Sequence, residues 1–420
     1  MKFAVILGAA ALGNIVLLYA LLAWRIGEVT LRIRRTIAAP RERLWNALWP
    51  LGETAGWSGQ IVDARPLGED GAEIVLSWEG RDGLPIRHTL AFEDVAVGER
   101  YTSRVVEDTS LDPEFWRSYR QTTRLTERPE GTEAEFIRTD SYRGLAFLIF
   151  RYFAMRREIT KLKVWAETGR YVAGGLIERP IMQVGFALLS VLIFWPGFGL
   201  NAKGLALAVI LTLVVAVHEL GHMAAFRVVG HRNTRMIFVP GLGGIAIGGR
   251  PYDTRFEVGF VALMGAGLSA FVVIVAMGVS HIAHDAGLAR VSILAVVFVG
   301  CGALFNLANL IPVWKFDGGQ VLRQAVETPL MRALSSFLLL AAFIGLGARV
   351  GFPLTALLVC AAVFALLGIM TSGSGVKPRH ELKPMQGMEQ TAIGLGLVAT
   401  FAVHAFAILW AVDQITGRLL

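Results

Sequence analysis

The sequence predicts a multi-span α-helical membrane protein of about eight transmembrane helices, with an α+β domain inserted after the first. Three observations carry that expectation. Apolar runs recur at about 3–24, 181–199, 203–227, 256–280, 291–312, 330–349, 352–371 and 391–412, and a bilayer-spanning helix needs about 20 apolar residues. Charged residues make up only 17% of the 420, and most of them lie between Arg25 and Arg170. Inside that interval the apolar residues alternate with polar ones as strands require. A hydrophobic content of 54% agrees with an integral membrane protein.

The first run is long, has only Lys2 before it and shows no small-residue cleavage site before Arg25, so residues 1–27 read as an anchor. Arg25, Arg32, Arg34 and Arg35 follow it. Lys and Arg concentrate on the cytoplasmic side of membrane proteins, which places the N-terminus outside and the inserted domain, 28–170, in the cytoplasm. In that domain Val29, Leu31 and Ile33 face one way and Thr30, Arg32 and Arg34 the other. A proline-started helix follows at Pro40 to Trp45, then strand-like runs near 61–67, 71–78, 85–95, 99–109, 117–127 and 131–142. Glycine turns such as Gly68-Glu69-Asp70-Gly71 separate several of them, and a long helix runs from about Leu145 to Thr168. The membrane core spans 171–376, and 377–420 holds a cytoplasmic loop and the last span. Arg227, Arg232 and Arg235, then Lys315 and Arg323, then Lys377, Arg379 and Lys383 all fall inside in this alternation.

The net charge of +7 reflects those cytoplasmic loops, and no nucleic-acid partner is expected. Cys301 and Cys360 both fall in apolar runs, which argues against a disulfide framework and for small packing residues.

Chemistry concentrates in His218-Glu219-Leu220-Gly221-His222, which ends the aliphatic run from Leu205 to Val217. Ionisable groups at membrane depth are expensive, and they are functional candidates by default. On a helix, His218 and His222 share one face and can address one metal ion, with Glu219 beside it where a general base is needed. A catalytic zinc takes three protein ligands, so a third is sought at similar depth. Asp317 is the only carboxylate in the segment 306–319, where Pro312 and Gly318-Gly319 break the helix. Asp317 either N-caps the next helix, ligates, or does both. Pro240 to Gly249 is glycine-rich and reads as either a flexible loop or a hairpin.

His218-Glu219-x-x-His222 followed by Asn309-x-x-Pro312-x-x-x-x-Asp317-Gly318 resembles the site-2 protease family of intramembrane zinc metalloproteases, over roughly Pro180 to Met331. The resemblance implies that His218, His222 and Asp317 bind one catalytic zinc, that Glu219 is the catalytic base, and that Asn309 sits near the active site and bonds substrate backbone. It implies that Pro240 to Gly249 is a re-entrant hairpin whose edge takes an unwound substrate strand. Met264-Gly265-Ala266-Gly267 departs from the Ala-Gly-Pro of many relatives. The inserted domain resembles the START-like (SRPBCC) fold, in its element order and in Arg35-Thr36-Ile37-Ala38-Ala39-Pro40 with Trp45 and Trp57-Ser58. That resemblance implies a sheet wrapped around a C-terminal helix, enclosing an apolar cavity. Trp45, Trp57, Trp78 and Phe92 either fill a core there or line a ligand site.

The functional expectation is therefore regulated intramembrane proteolysis of single-span membrane proteins in a bacterial inner membrane, gated by a hydrophobic ligand in the START-like domain. The basic helix with Arg151, Arg156, Arg157, Lys161 and Lys163 is either solvated or set against anionic membrane lipids. Two other readings remain: a membrane-anchored lipid-binding or sensor protein on a degenerate protease scaffold, and a different zinc peptidase whose third ligand is Glu257 or Glu327.

Overall fold

The computed structural model describes residues 19–21, 24–172, 179–231, 234–241, 243–313, 316–371 and 379–417. The expected span at 3–24 lies outside these, apart from 19–21 and 24. The chain divides into two compact units, Gly13–Gly175 with Thr371–Glu381, and Met1–Leu12 with Leu176–Met370 and Leu382–Leu420.

The first unit is an antiparallel sheet gripping a helix. Its strands are β1 (Arg25–Ile37), β2 (Ile61–Pro66), β3 (Gly71–Glu79), β4 (Pro85–Ala96), β5 (Arg100–Asp108), β6 (Arg120–Arg128) and β7 (Gly131–Arg143). The order is β1-β7-β6-β5-β4-β3-β2, so every connection joins neighbours except that from β1 to β2, which lie at opposite edges, and the last strand, β7, pairs with β1. β7 shows why the alternation was readable: Thr132, Ala134 and Phe136 are buried, while the residues between them are less so. Helix α1 (Arg41–Leu48) enters through Pro40 and buries Leu44, Trp45 and Ala47. Helix α2 (Leu145–Thr168) buries Met155, Ile159, Leu162 and Ala166 against the sheet. Their spacing of 3 or 4 keeps them on one face. Where 117–127 read as strand, residues Pro113–Trp116 form a 3-10 turn and β6 starts only at Arg120. Asp112 caps that turn by accepting from the Glu114 amide at 2.9 Å.

The second unit is helical. It comprises α3 (Pro180–Phe194), α4 (Ala202–Val228), the hairpin β8 (Arg235–Val239) and β9 (Gly243–Ile247), α5 (Arg255–Asp285), α6 (Ala289–Asn309), α7 (Asp317–Ala325), α8 (Pro329–Arg349), α9 (Leu354–Thr371) and α10 (Gly387–Thr416). Among the described residues, six segments are long and apolar enough to cross a membrane: α3 with its 3-10 extension, α4, α5, α6, α8 and α10. In α9 the described apolar stretch, Leu354–Leu366, is shorter than a span. Asn201 caps α4 by accepting from the Gly204 amide, and Thr254 caps α5 by accepting from the Glu257 amide, both at 3.0 Å.

Helices pack in lipid through small residues, because apolar burial offers little between one oily surface and another. A methyl on Gly221 would collide with the Met264 carbonyl, so this glycine lets α4 approach α5 closely. Val273, Val299, Ala303, Ala407 and Ala411 join α5, α6 and α10 behind them.

Candidate metal centre

Three side chains from two places in the sequence meet at one point. His218 and His222 lie one turn apart on α4, and their Nε2 atoms are 3.1 Å apart. Asp317 opens α7, with Phe316 holding the cap position, so Asp317 is not the N-cap. Its Oδ2 lies 3.0 Å from His218 Nε2 and 3.4 Å from His222 Nε2. The turn that returns Asp317 to the histidines is tight. The Val313 amide donates to Ile311 O and that of Phe316 to Val313 O. A side chain on Gly318 would collide with the Leu310 carbonyl, which gives the glycine after Asp317 its physical reason.

The partners of the other ring nitrogens assign the protons. His222 Nδ1 is 2.7 Å from Val261 O, an acceptor only, so His222 donates there. His218 Nδ1 is 2.8 Å from Asn306 Oδ1. Asn306 Nδ2 donates to Gly302 O at 2.8 Å, which fixes the orientation of the amide and makes its oxygen the acceptor from His218. A neutral imidazole with its proton on Nδ1 carries a lone pair on Nε2. Two such lone pairs and the carboxylate of Asp317 therefore point at one another, and buried Asp317 Oδ2 accepts no hydrogen bond. Only a positive charge between them, a proton or a metal ion, relieves that arrangement. Tetrahedral ligands at about 2.0–2.1 Å from one zinc lie about 3.3 Å apart, close to the three separations found. These three make up the group of His, Cys, Asp and Glu side chains among the described residues whose ligand atoms converge for a metal.

The neighbours hold the site from every side. Gly265 of α5 backs both rings, since a methyl there would fall 2.6 Å from His222 Nε2 and 2.8 Å from His218 Cε1. His404 of α10 is fully buried and bonds Ala266 O at 3.0 Å, pinning α5 one residue further on. Glu219 is buried beside His218. A side chain on Gly244 would collide with Glu219 Cγ, so β9 runs against that carboxylate. The hairpin starts earlier than expected. Arg235–Val239 supplies the first strand, and Pro240 and Gly241 lie in its turn.

The asparagine expected near the site, Asn309, ends α6 and donates from Nδ2 to its own helix at Phe305 O, 3.0 Å away. Asn306, one turn earlier, was not singled out and is the one that touches a histidine. Of the other third-ligand candidates, Glu257 is held by Arg250 at 2.8 Å and by the Asp253 amide at 2.9 Å, and Glu327 accepts from Gln390 at 3.1 Å.

The sheet unit has a site of its own, a cavity of about 360 Å³. Trp57, Ile74 and Leu90 line it on one side, and His88, Tyr119 and Gln121 among its polar groups. Asp108 braces that wall: it accepts from Trp116 Nε1 at 2.8 Å and from the Ser110 amide at 2.6 Å, and lies 3.3 Å from His88 Nε2. Burial pushes its carboxyl up, but the hydrogen bonds from His88, the Ser110 amide and Trp116 outweigh this and hold it below the usual value of 3.8. Trp45 and Phe92 are buried in the core rather than at the cavity, while Trp78 is half exposed.

No protein-family model matches the chain, and no curated protein matches it. Solved structures do. An Aha1 dimer protein from Colwellia psychrerythraea is 16% identical, covering 34% of this chain and 98% of that one, at a TM-score of 0.28. A protein from Staphylococcus saprophyticus is 17% identical, covering 35% and 98%, also at 0.28. A protein from Rhizobium leguminosarum is 20% identical, covering 33% and 95%, at 0.26. Each of them matches about the N-terminal third of this chain and nearly all of its own length.

Proposed function

We propose that this protein is an intramembrane zinc metalloprotease that hydrolyses peptide bonds in or near the transmembrane segments of single-span membrane proteins. The observation that carries the reading is the convergence of lone pairs on His218 Nε2, His222 Nε2 and Asp317 Oδ2 beside buried Glu219, on a helix apolar enough to cross a membrane. Two neutral imidazoles and a carboxylate are the donor set of a three-ligand catalytic zinc. Zinc, when bound, supplies a Lewis acid that lowers the pKa of water to about 7 and polarises a carbonyl.

The chain's own groups supply the remainder. Glu219 takes the proton of the attacking water and delivers it to the leaving amine. Asn306 and the Val261 carbonyl keep both histidine protons on Nδ1. β9 pairs with β8 on one edge, and among the described residues no strand takes its other edge. That edge suits an unwound substrate, because helical hydrogen bonds shield a peptide bond from attack. Asn309 remains a candidate for bonding substrate backbone. The START-like domain takes a hydrophobic ligand in its cavity and gates the protease in response. From the distribution of Lys and Arg, both the domain and the zinc face the cytoplasm of a bacterial inner membrane.

Metal analysis of the detergent-purified chain tests the site. About one zinc is expected in the wild type, lost in Asp317→Ala and retained in Glu257→Ala and Glu327→Ala. A folded wild type that stays metal-free after resupply favours the other reading, a lipid-binding or sensor protein on a degenerate scaffold, for which the cavity would be the working site.

A further inference from the structure

Helix α2 has two apolar faces, and the fold uses only one. Met155, Ile159, Leu162 and Ala166 fill the sheet core. On the opposite face, Ile149, Phe150 and Phe153 are 44%, 57% and 50% exposed. At about 100° per residue these three form one stripe, and exposed Arg156 continues it by a turn. A grip helix has no need of large apolar side chains on its outer side, and in water they cost free energy.

The location of the stripe says what covers it. The Gly144 amide, just before α2, donates to Trp24 O at 2.8 Å. Trp24 is itself 51% exposed and closes the apolar sequence run 3–24. The stripe therefore starts beside the point where the chain leaves its N-terminal apolar segment. Aromatic rings seat at the headgroup level of a bilayer, and guanidinium groups beside them attract anionic lipid. The acids of the helix do not offset that attraction: Glu158 is 2.6 Å from Arg138, and Glu167 is 3.4 Å from Lys163.

We propose that the outer face of α2, Ile149, Phe150 and Phe153 with Arg156, docks on a bilayer surface containing anionic lipid. The docking is independent of the protease reading. It fixes the end of the START-like domain at which β1 and β7 begin and end their pairing, Arg25 with Arg143. It leaves the other end, where Ile37 meets Thr132, away from the lipid.

The test uses the full chain in nanodiscs, with Cys301 and Cys360 replaced by serine. An environment-sensitive fluorophore is attached at Ile149→Cys, which keeps both phenylalanines. A control label goes at Val97→Cys, which is 82% exposed in the β4–β5 turn at the far end of the sheet. In discs containing phosphatidylglycerol, the label at 149 is expected to be quenched by nitroxide-bearing lipid and shielded from iodide, with the reverse at 97. In pure phosphatidylcholine, or with Arg156→Glu, lipid quenching at 149 should fall about fivefold or more, the weight of one basic residue near an anionic surface. Free access of iodide to 149 in the anionic discs overturns the proposal in favour of a solvated face. Shielding from both quenchers overturns it in favour of a protein occupant, a second copy included.

Discussion

Asn306 Oδ1 lies 2.8 Å from His218 Nδ1, and both groups are buried. That bond turns the lone pair of His218 toward Asp317 and His222. A hydrogen-bond partner on the far nitrogen of a metal-binding histidine commonly contributes about 10–100-fold to metal affinity. Asn306→Ala is expected to weaken zinc binding by about that factor in chelator competition, and Asn309→Ala to leave it within a few-fold. Equal affinities would show that the His218 ring is oriented by something else.

Gly265 is the wall behind both rings. Gly265→Ala puts a methyl 2.6 Å from His222 Nε2 and is expected to abolish stoichiometric zinc while the protein still folds. Gly278→Ala, on the same helix with nothing within 4 Å, is the control and should bind zinc as the wild type does. Metal content of the two purified variants decides it.

Gly244 touches the base rather than the ligands. The atoms nearest a side chain there all belong to Glu219, so Gly244→Val is expected to keep zinc and lose most cleavage. A variant that loses both would mean that the hairpin supports the ligand set itself.

Much of this site was legible in the sequence because its geometry is local. Residues four apart on a helix share a face, so His218 and His222 needed no tertiary information. The helix break at Pro312 and Gly318 marked where a carboxylate could turn back. In the sheet unit, alternation marked β2 to β5 and β7 to within a residue. Asn306 was missed for a physical reason. It and Asn309 are both polar residues in one apolar helix, and the rule that flags such residues flags both. Choosing between them requires knowing which face α6 turns toward α4, a matter of packing. β8 was missed because the glycines marked the turn more loudly than Met236 to Val239 marked the strand.

Asp108 sets an acid limit on the cavity wall. Its folded pKa lies below 3.8, so its contribution to stability is fully present above that value and fades as the pH falls through the folded pKa. The melting transition of the sheet unit should therefore begin to fall as the pH drops below about 4. Asp108→Ala strands the Trp116 indole and the Ser110 amide, and should lower stability by about 1–3 kcal/mol at neutral pH. Scanning calorimetry against pH checks both, and an unchanged melting profile in the variant would remove Asp108 from this role.

The central claim is tested most directly by paired measurement of zinc and cleavage in Glu219→Gln and the wild type, reconstituted with a single-span substrate. About one zinc in each preparation, with cleavage by the wild type alone, is the predicted result. Cleavage by Glu219→Gln at the wild-type rate would contradict it.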